Sequence, residues 1–270
     1  MYKLAVFDLD GTLLNDEHEI SEENIASLER LKESGCKIAI ATGRTDLLVK
    51  EYAKKINING PVIACNGAMV RNPFTKEEVF TSLIAPTEVK KIIEICKSGN
   101  HIFLAYAKDC IISTLNYRVE YFQERNEKLD NDCRAEFVIS DDEGYIAENF
   151  EIMKVLIIEN DEEIYSGLKD KFAHVKGTTI CQSSKGFLDI MPTGTSKRNA
   201  LEMLAKTENI TPKEIVAFGD NYNDIEMLQY AGCAITTENG VDMVKKIADY
   251  ISVDHSDHGV AHAIKNYLCL

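Results

Sequence analysis

The chain has no tryptophan, only 5 prolines and 15 glycines, and it is short of positive charge. Its 30 Lys and Arg residues face 44 Asp and Glu residues, a formal net charge of −14. A nucleic-acid surface clusters Lys and Arg to neutralise phosphates, and a polybasic membrane anchor needs the same excess, so the balance argues against both. No run approaches the roughly 18 consecutive apolar residues that span a bilayer. The amino terminus turns acidic at Asp8 before an apolar signal-peptide core can form, so a cytoplasmic location is expected. The eight cysteines (Cys36, Cys65, Cys96, Cys110, Cys133, Cys181, Cys233 and Cys269) never lie within four residues of one another, which excludes a CxxC redox or zinc pattern. They read as reduced structural thiols.

At 45% hydrophobic residues the 270-residue chain is too apolar to be disordered. Its length suits one large or two modest domains. Leu4-Ala5-Val6-Phe7 is apolar at every position, as a strand buried on both faces requires, and ends at Asp8. Ser21 can cap a helix carrying Ile25, Leu28 and Leu31, closed by Gly35. Lys37-Ile38-Ala39-Ile40-Ala41 is again strand-like and ends at Thr42-Gly43-Arg44, and Val62-Ile63-Ala64-Cys65 ends at Asn66-Gly67. Short connections between strand and helix signals of this kind make a parallel α/β sheet. The far end repeats the pattern: Ser196 caps a helix through Ala200, Leu201, Leu204 and Ala205, and Ile215-Val216-Ala217-Phe218 ends at Gly219-Asp220. Thr211-Pro212-Lys213-Glu214 has the form of a capping box with Pro at the first helical position. Between about 85 and 187, helix and strand signals alternate over a length that is a domain rather than a loop. The expectation is a core of 1–84 plus 187–270, with an inserted α/β domain at 85–186.

The informative fact is where polar residues fall. Four apolar strands end in Asp8, Thr42, Asn66 and Asp220. Open α/β sheets bind ligands outside the carboxyl ends of their strands. Asp8 and Asp10, two apart, share one side of an extended segment. They suit a hard cation or a division of labour between nucleophile and general acid/base; an acidic turn is the alternative. An EF-hand is excluded because Thr12 and Leu13 stand where it needs an acid or amide and then Gly. Asp220 and Asp224 in Gly219-Asp220-Asn221-Tyr222-Asn223-Asp224 both face a cation if a helical turn begins there; helix capping is the alternative. Lys197 lies in the first turn of its helix, where the dipole does not favour a cation, a misfit that suits a lysine aimed at an anion.

Taken in order, Asp8-Leu9-Asp10-Gly11-Thr12, the strand-end Thr42, Lys197 and Gly219-Asp220 through Asp224 resemble the haloacid dehalogenase (HAD) superfamily. Thr42-Gly43-Arg44, Asn66-Gly67-Ala68, Ser196-Lys197 and Asp257-His258-Gly259-Val260-Ala261 are similar to its Cof-type sugar-phosphatase branch. The long stretch between Thr42 and Lys197 fits a type IIB α/β cap. The stretch Thr236-Thr237-Glu238-Asn239-Gly240 departs from the branch's Met-Gly-Asn-Ala-like turn. The resemblance implies a Rossmann-like parallel core with that cap closing over it. It implies Mg²⁺, held by Asp8, Asp220, Asp224 and the backbone of Asp10, and a small phosphorylated metabolite as the partner. Asp8 is implied as nucleophile, forming an aspartyl-phosphate, and Asp10 as general acid and then base. Thr42, Lys197 and the amides of Leu9 and Gly43 are implied on the phosphate, Arg44, Asn66 and Gly67 at the phosphate or leaving group, and Asn223 as orienting phosphate or Asp8.

The activity so implied is a phosphatase. A phosphomutase or phosphotransferase uses the same aspartyl-phosphate. A receiver-type phospho-acceptor is about half this length and lacks Asp-Gly-Thr two residues after the acceptor. His255, His258 and His262 beside Asp254 and Asp257 share a face only on a continuous helix; Gly259 interrupts it, so capping and surface roles are expected. Asp141-Asp142-Glu143 reads as a solvated loop.

Overall fold

A computed structural model describes residues 2–184 and 186–270. The chain opens with β1 (Leu4–Phe7), α1 (Glu22–Glu33), β2 (Lys37–Ala41), α2 (Lys50–Lys55), β3 (Val62–Ala64), β4 (Met69–Arg71) and β5 (Glu78–Thr81). Next come α3 (Pro86–Ser98), β6 (Ile102–Ala107), β7 (Ile111–Ser113), α4 (Tyr117–Glu127), β8 (Phe137–Ile139) and α5 (Glu143–Asn149). These lead into β9 (Ile152–Ile158), α6 (Glu162–Phe172), β10 (Thr178–Ser184) and β11 (Phe187–Pro192). The chain then returns through α7 (Lys197–Thr207), β12 (Ile215–Phe218), α8 (Ile225–Tyr230), β13 (Cys233–Thr237), α9 (Asp242–Lys245), β14 (Tyr250–Ser252) and α10 (Gly259–Asn266). It divides into two compact units, Met1–Phe80 with Ser196–Leu270, and Thr81–Thr195.

The first unit is an eight-stranded sheet in the order β14-β13-β12-β1-β2-β3-β4-β5. Its pairs from β14 to β3 are parallel, and β4 runs antiparallel to β3. Strands such as Leu-Ala-Val-Phe form here because both faces of the sheet are covered. Leu4, Val6, Ala39, Ile63 and Ala217 pack with Leu201 and Leu204 of α7 and Met227 and Leu228 of α8. Phe7 and Phe218, register partners on the opposite face, stack at 4.5 Å. Each such buried side chain contributes about 1.5–3 kcal/mol. Ser21 caps α1, accepting the N–H of Asn24, and α1 packs against α10 with Ala261 N–H donating to Asn24 Oδ1. The Thr211–Glu214 box forms as expected, but it closes a single 3₁₀ turn that runs directly into β12.

The second unit is a six-stranded sheet, β10-β11-β9-β6-β7-β8, antiparallel except for β7 with β8. β9 is buried at all seven positions. Phe103, Val155, Ile157, Leu188 and Ile190 meet Val89, Ile92 and Ile93 of α3, Ile146 of α5, and Leu168 and Phe172 of α6. Lys154 and Asp189 form a buried ion pair at 3.1 Å.

Two expectations differ from this structure. The boundary expected at 186/187 falls before β11, which pairs with β10 on one side and β9 on the other and so belongs to the second sheet; the units divide at 80/81 and 195/196. The acidic run 141–143 is a loop only in part: Asp141 and Asp142 are exposed loop residues, but Asp142 caps α5, accepting the N–H of Tyr145, and Glu143 opens that helix and pairs with Lys97. All eight cysteines are free thiols. Among the described residues, no helix is long and apolar enough to cross a membrane.

Candidate active site

β1 lies between β12 and β2, with Phe7 opposite both Phe218 and Ile40. The chain runs outward from β1 in both directions, so the end of β1 is the point where strand order reverses, the place where such sheets bind ligands. The ladder continues one residue past the strands: Asp8 N–H donates to Phe218 O (3.0 Å) and Thr42 N–H to Ile63 O (2.8 Å). Asn66 N–H donates to Thr42 O (2.9 Å). Asp8, Thr42, Asn66 and Asp220 thus leave neighbouring strands at one edge.

Lys197 enters from the first turn of α7. Ser196 caps that helix, its Oγ accepting Asn199 N–H at 3.1 Å. The helix end sits against the turn after β3: a Cβ on Gly67, which has φ +99°, would lie 2.2 Å from Ser196 O, so only glycine fits. The Lys197 ammonium is buried and donates to Asp8 Oδ1 and Asp224 Oδ1, both at 2.6 Å. Asp224 Oδ2 accepts the N–H groups of Asp220 (3.1 Å) and Asn221 (3.0 Å), so both of its oxygens are committed. Thr12 Oγ1 donates to Asp220 Oδ1 at 2.9 Å. Gly11 makes room for this: its φ is +82°, and a Cβ there would lie 2.5 Å from Asp220 Oδ2.

Asp8, Asp220 and Asp224 each offer a carboxylate oxygen, all within 4.8 Å of one another. With Lys197 the group is three carboxylates and one ammonium, a formal charge of −2 in a buried place. Burial pushes the Asp8 carboxyl well above the usual carboxylate range; Asp224, Asp220 and Asp10 add to this, and Lys197 opposes it. Asp220 is pushed up to about 6, first by burial and then by Asp224. Burial disfavours the charge on Lys197, but Asp224 and Asp8 more than offset it and hold the ammonium above its ordinary range. An all-oxygen donor set with two surplus negative charges fits a hard divalent cation, whose charge cancels the surplus.

Asp10 lies outside that carboxylate group. Its carboxylate is 45% exposed and takes both Nε (2.8 Å) and a terminal nitrogen of Arg44. Arg44, expected at the phosphate, therefore meets Asp10 in the structure, with its guanidinium 5.4 Å above the Tyr52 ring. Arg44 N–H donates to the buried Thr42 Oγ1 at 3.1 Å. Leu9 O accepts the N–H groups of Thr12, Leu13 and Leu14, which tightens the loop carrying Asp10. Asn223 Nδ2 donates to Asn66 Oδ1 at 3.0 Å, and a Cβ on Gly43 would lie 3.2 Å from that same oxygen.

The histidines at the chain end do not converge. His255 Nδ1 meets Leu14 O at 2.7 Å, His262 Nδ1 meets Ser252 Oγ at 3.1 Å, and His258 lies 3.7 Å from Glu23. Among the described residues, the one group of three metal-ligating side chains is Asp8, Asp220 and Asp224. Two contacts were not anticipated. Thr12 on Asp220 was marked only by its place after Asp-Gly, and Asn239, whose Nδ2 donates to Gly11 O at 2.7 Å, only by its place in the divergent turn 236–240.

A strand-end aspartate paired with a buried lysine, beside two further carboxylates on an α/β sheet, is the site of a phosphoric monoester hydrolase. The chain belongs to the haloacid dehalogenase-like hydrolases, in their Cof-type branch: the family model matches residues 5–264. It is 32% identical, over 99% of its length and 98% of the relative's, to the 5-amino-6-(5-phospho-D-ribitylamino)uracil phosphatase YitU of Bacillus subtilis. A crystal structure of a haloacid dehalogenase-like hydrolase from Bacteroides thetaiotaomicron superposes with a TM-score of 0.86 at 28% identity, over 98% and 99% of the two chains. The fold is shared with the HAD subclass IIB sugar phosphatase BT4131, at a TM-score of 0.82 and 24% identity over 99% and 100% of the two chains.

Proposed function

We propose that the chain is a Mg²⁺-dependent phosphatase acting on a sugar phosphate or similar small phosphorylated metabolite through an aspartyl-phosphate on Asp8. The observation that carries this reading is the buried Asp8–Lys197–Asp224 constellation at the switch point of the sheet, with its surplus charge of −2. Asp8 and Asp220 are the carboxylates to hold Mg²⁺, because Lys197 and Thr12 each engage one oxygen of them; Asp224 is spent on fixing Lys197 and the turn at 220–221. Bound there, Mg²⁺ screens the repulsion between a carboxylate nucleophile and a phosphate and draws charge from the phosphoryl oxygens.

The remaining steps belong to side chains of this protein. Asp8 attacks phosphorus as the bond to the leaving oxygen breaks, and Asp10 gives that oxygen a proton. A water then attacks phosphorus, Asp10 takes its proton, and Asp8 is released with free phosphate. Lys197, Thr42 and the amides of Leu9 and Gly43 hold the non-bridging oxygens, which is most of phosphoryl-transfer catalysis. The planar fork of Arg44 suits phosphate as well as carboxylate, so an incoming phosphate competes with Asp10 for it and frees Asp10 to act. The named substrate of the Bacillus subtilis relative supports a phosphorylated polyol or sugar as the class.

A phosphate-release screen over phosphorylated metabolites, with and without Mg²⁺, tests the reading. Release confined to the Mg²⁺ arm is expected. An isomerised sugar phosphate without free phosphate would replace the phosphatase by a mutase.

A further inference from the structure

The loop that carries Asp10 and Thr12 is held from outside by residues the mechanism does not use. Asn239 Nδ2 donates to Gly11 O at 2.7 Å, and Thr237 Oγ1 lies 3.4 Å from the same oxygen. Asn239 Oδ1 accepts the N–H of His255 at 3.2 Å. The orientation of the Asn239 amide follows from its neighbours: a carbonyl only accepts and a peptide N–H only donates, so nitrogen faces Gly11 and oxygen faces His255. The His255 ring meets Leu14 O at 2.7 Å, and Asp16 N–H donates to Ser256 Oγ at 3.2 Å. The segments 237–239 and 255–256 therefore grip the loop between Gly11 and Asp16.

The grip falls on the peptide that matters most to the site. The Gly11–Thr12 peptide is fixed at its other end by Thr12 N–H to Leu9 O (3.3 Å). The Thr12 hydroxyl holds Asp220 Oδ1, and the α-carbon of Gly11 lies directly against the Asp220 carboxylate. A rotated peptide would move Thr12 off Asp220 and swing Asp10.

We propose that Asn239 is a positioning residue that fixes the Gly11–Thr12 peptide and thereby places Asp220 and Asp10. Asn239 lies outside the Asp8–Asp220–Asp224 group and acts through the loop. Its side chain is exposed, so its replacement leaves the packed core of the sheet untouched. Groups that orient a ligand from behind are worth roughly 10–100-fold in metal affinity or activity when lost.

The test compares Asn239→Ala and Asn239→Asp with the parent protein in three measurements: calorimetric titration with Mg²⁺ alone, kcat and KM for an aryl phosphate, and Tm. Both variants are expected to bind Mg²⁺ at least ~10-fold more weakly and to lose kcat on the same scale, with KM nearly unchanged. Asn239→Asp should be no better than Asn239→Ala, because a carboxylate presents no donor to Gly11 O. Mg²⁺ affinity and kcat within about twofold of the parent in both variants would overturn the proposal. So would a loss that disappears when each variant is assayed well below its own Tm. The kinetic arm rests on the phosphatase reading, whereas the Mg²⁺ titration does not. If Asp8→Asn leaves turnover intact, that reading fails and the titration still decides the role of Asn239.

Discussion

Replacing Lys197 by Met removes the single cation from a buried group of three carboxylates and takes its formal charge from −2 to −3. The methionine keeps most of the side-chain volume, so the change is electrostatic. Lys197 Nζ stands 2.6 Å from both Asp8 and Asp224, and neither the ammonium nor Asp224 has any exposed surface. Breaking a buried pair by removing one partner costs about 3–5 kcal/mol, mostly because the remaining charge is left uncompensated. For a protein of this size that is a Tm drop of roughly 6–20 °C. Two controls isolate the cause. Adding Asp224→Asn to Lys197→Met removes one orphaned charge and should recover part of the loss, and saturating Mg²⁺ should recover part of it in the single variant. The assay is urea unfolding of each variant in EDTA and in Mg²⁺. A loss below about 1 kcal/mol in EDTA, the value of an exposed pair, would refute the account of the site as a charge-compensated cluster.

Further outcomes follow from the same geometry. In the metal-free protein Asp220 keeps its proton up to about pH 6, whereas the unfolded chain releases it near 4. The folded state binds the extra proton between those values, so stability from this group falls as pH rises from about 4 to 6 and is constant above. The stability of the parent minus that of Asp220→Asn should therefore fall as pH rises through that window in EDTA; a value that rises would contradict it. Gly11→Ala places a methyl 2.5 Å from Asp220 Oδ2 at φ +82°. It should cost at least about 1–2 kcal/mol from the left-handed backbone alone and weaken Mg²⁺ binding by at least ~10-fold; unchanged calorimetric affinity would show that the Asp220 carboxylate can give way.

The strands that build the site were legible because each, apart from Lys37 at the start of β2, is apolar at every position and ends abruptly in a polar residue, a pattern both faces of a parallel sheet impose locally. The helix starts at Ser21 and Ser196 were legible for the same local reason. The end of the inserted unit was not. Phe187–Pro192 is apolar apart from Asp189, much like the core strands, and only its pairing with β9 and β10 assigns it to the second sheet. The helix opened by Asp142 is short and follows two acids, so charge masked the cap. At the site, the spacing of Asp8, Asp10, Asp220 and Asp224 showed which residues to bring together but not how each carboxylate is used. That Asp224 spends both oxygens on Lys197 and two amides, that Arg44 meets Asp10, and that Asn239 holds Gly11 are contacts between residues far apart in sequence, which no local pattern encodes.

The central claim is that Asp8 is the phosphorylated nucleophile. Phosphate release from an aryl phosphate by Asp8→Asn, compared with the parent in saturating Mg²⁺, tests it most directly when paired with an acid quench of the turning-over parent and mass analysis of the peptide containing Asp8. The variant is expected to release at least ~10³-fold less phosphate, and the parent's Asp8 peptide to carry a phosphoryl group. Release by Asp8→Asn within about tenfold of the parent, or a phosphoryl group on another residue, would contradict it.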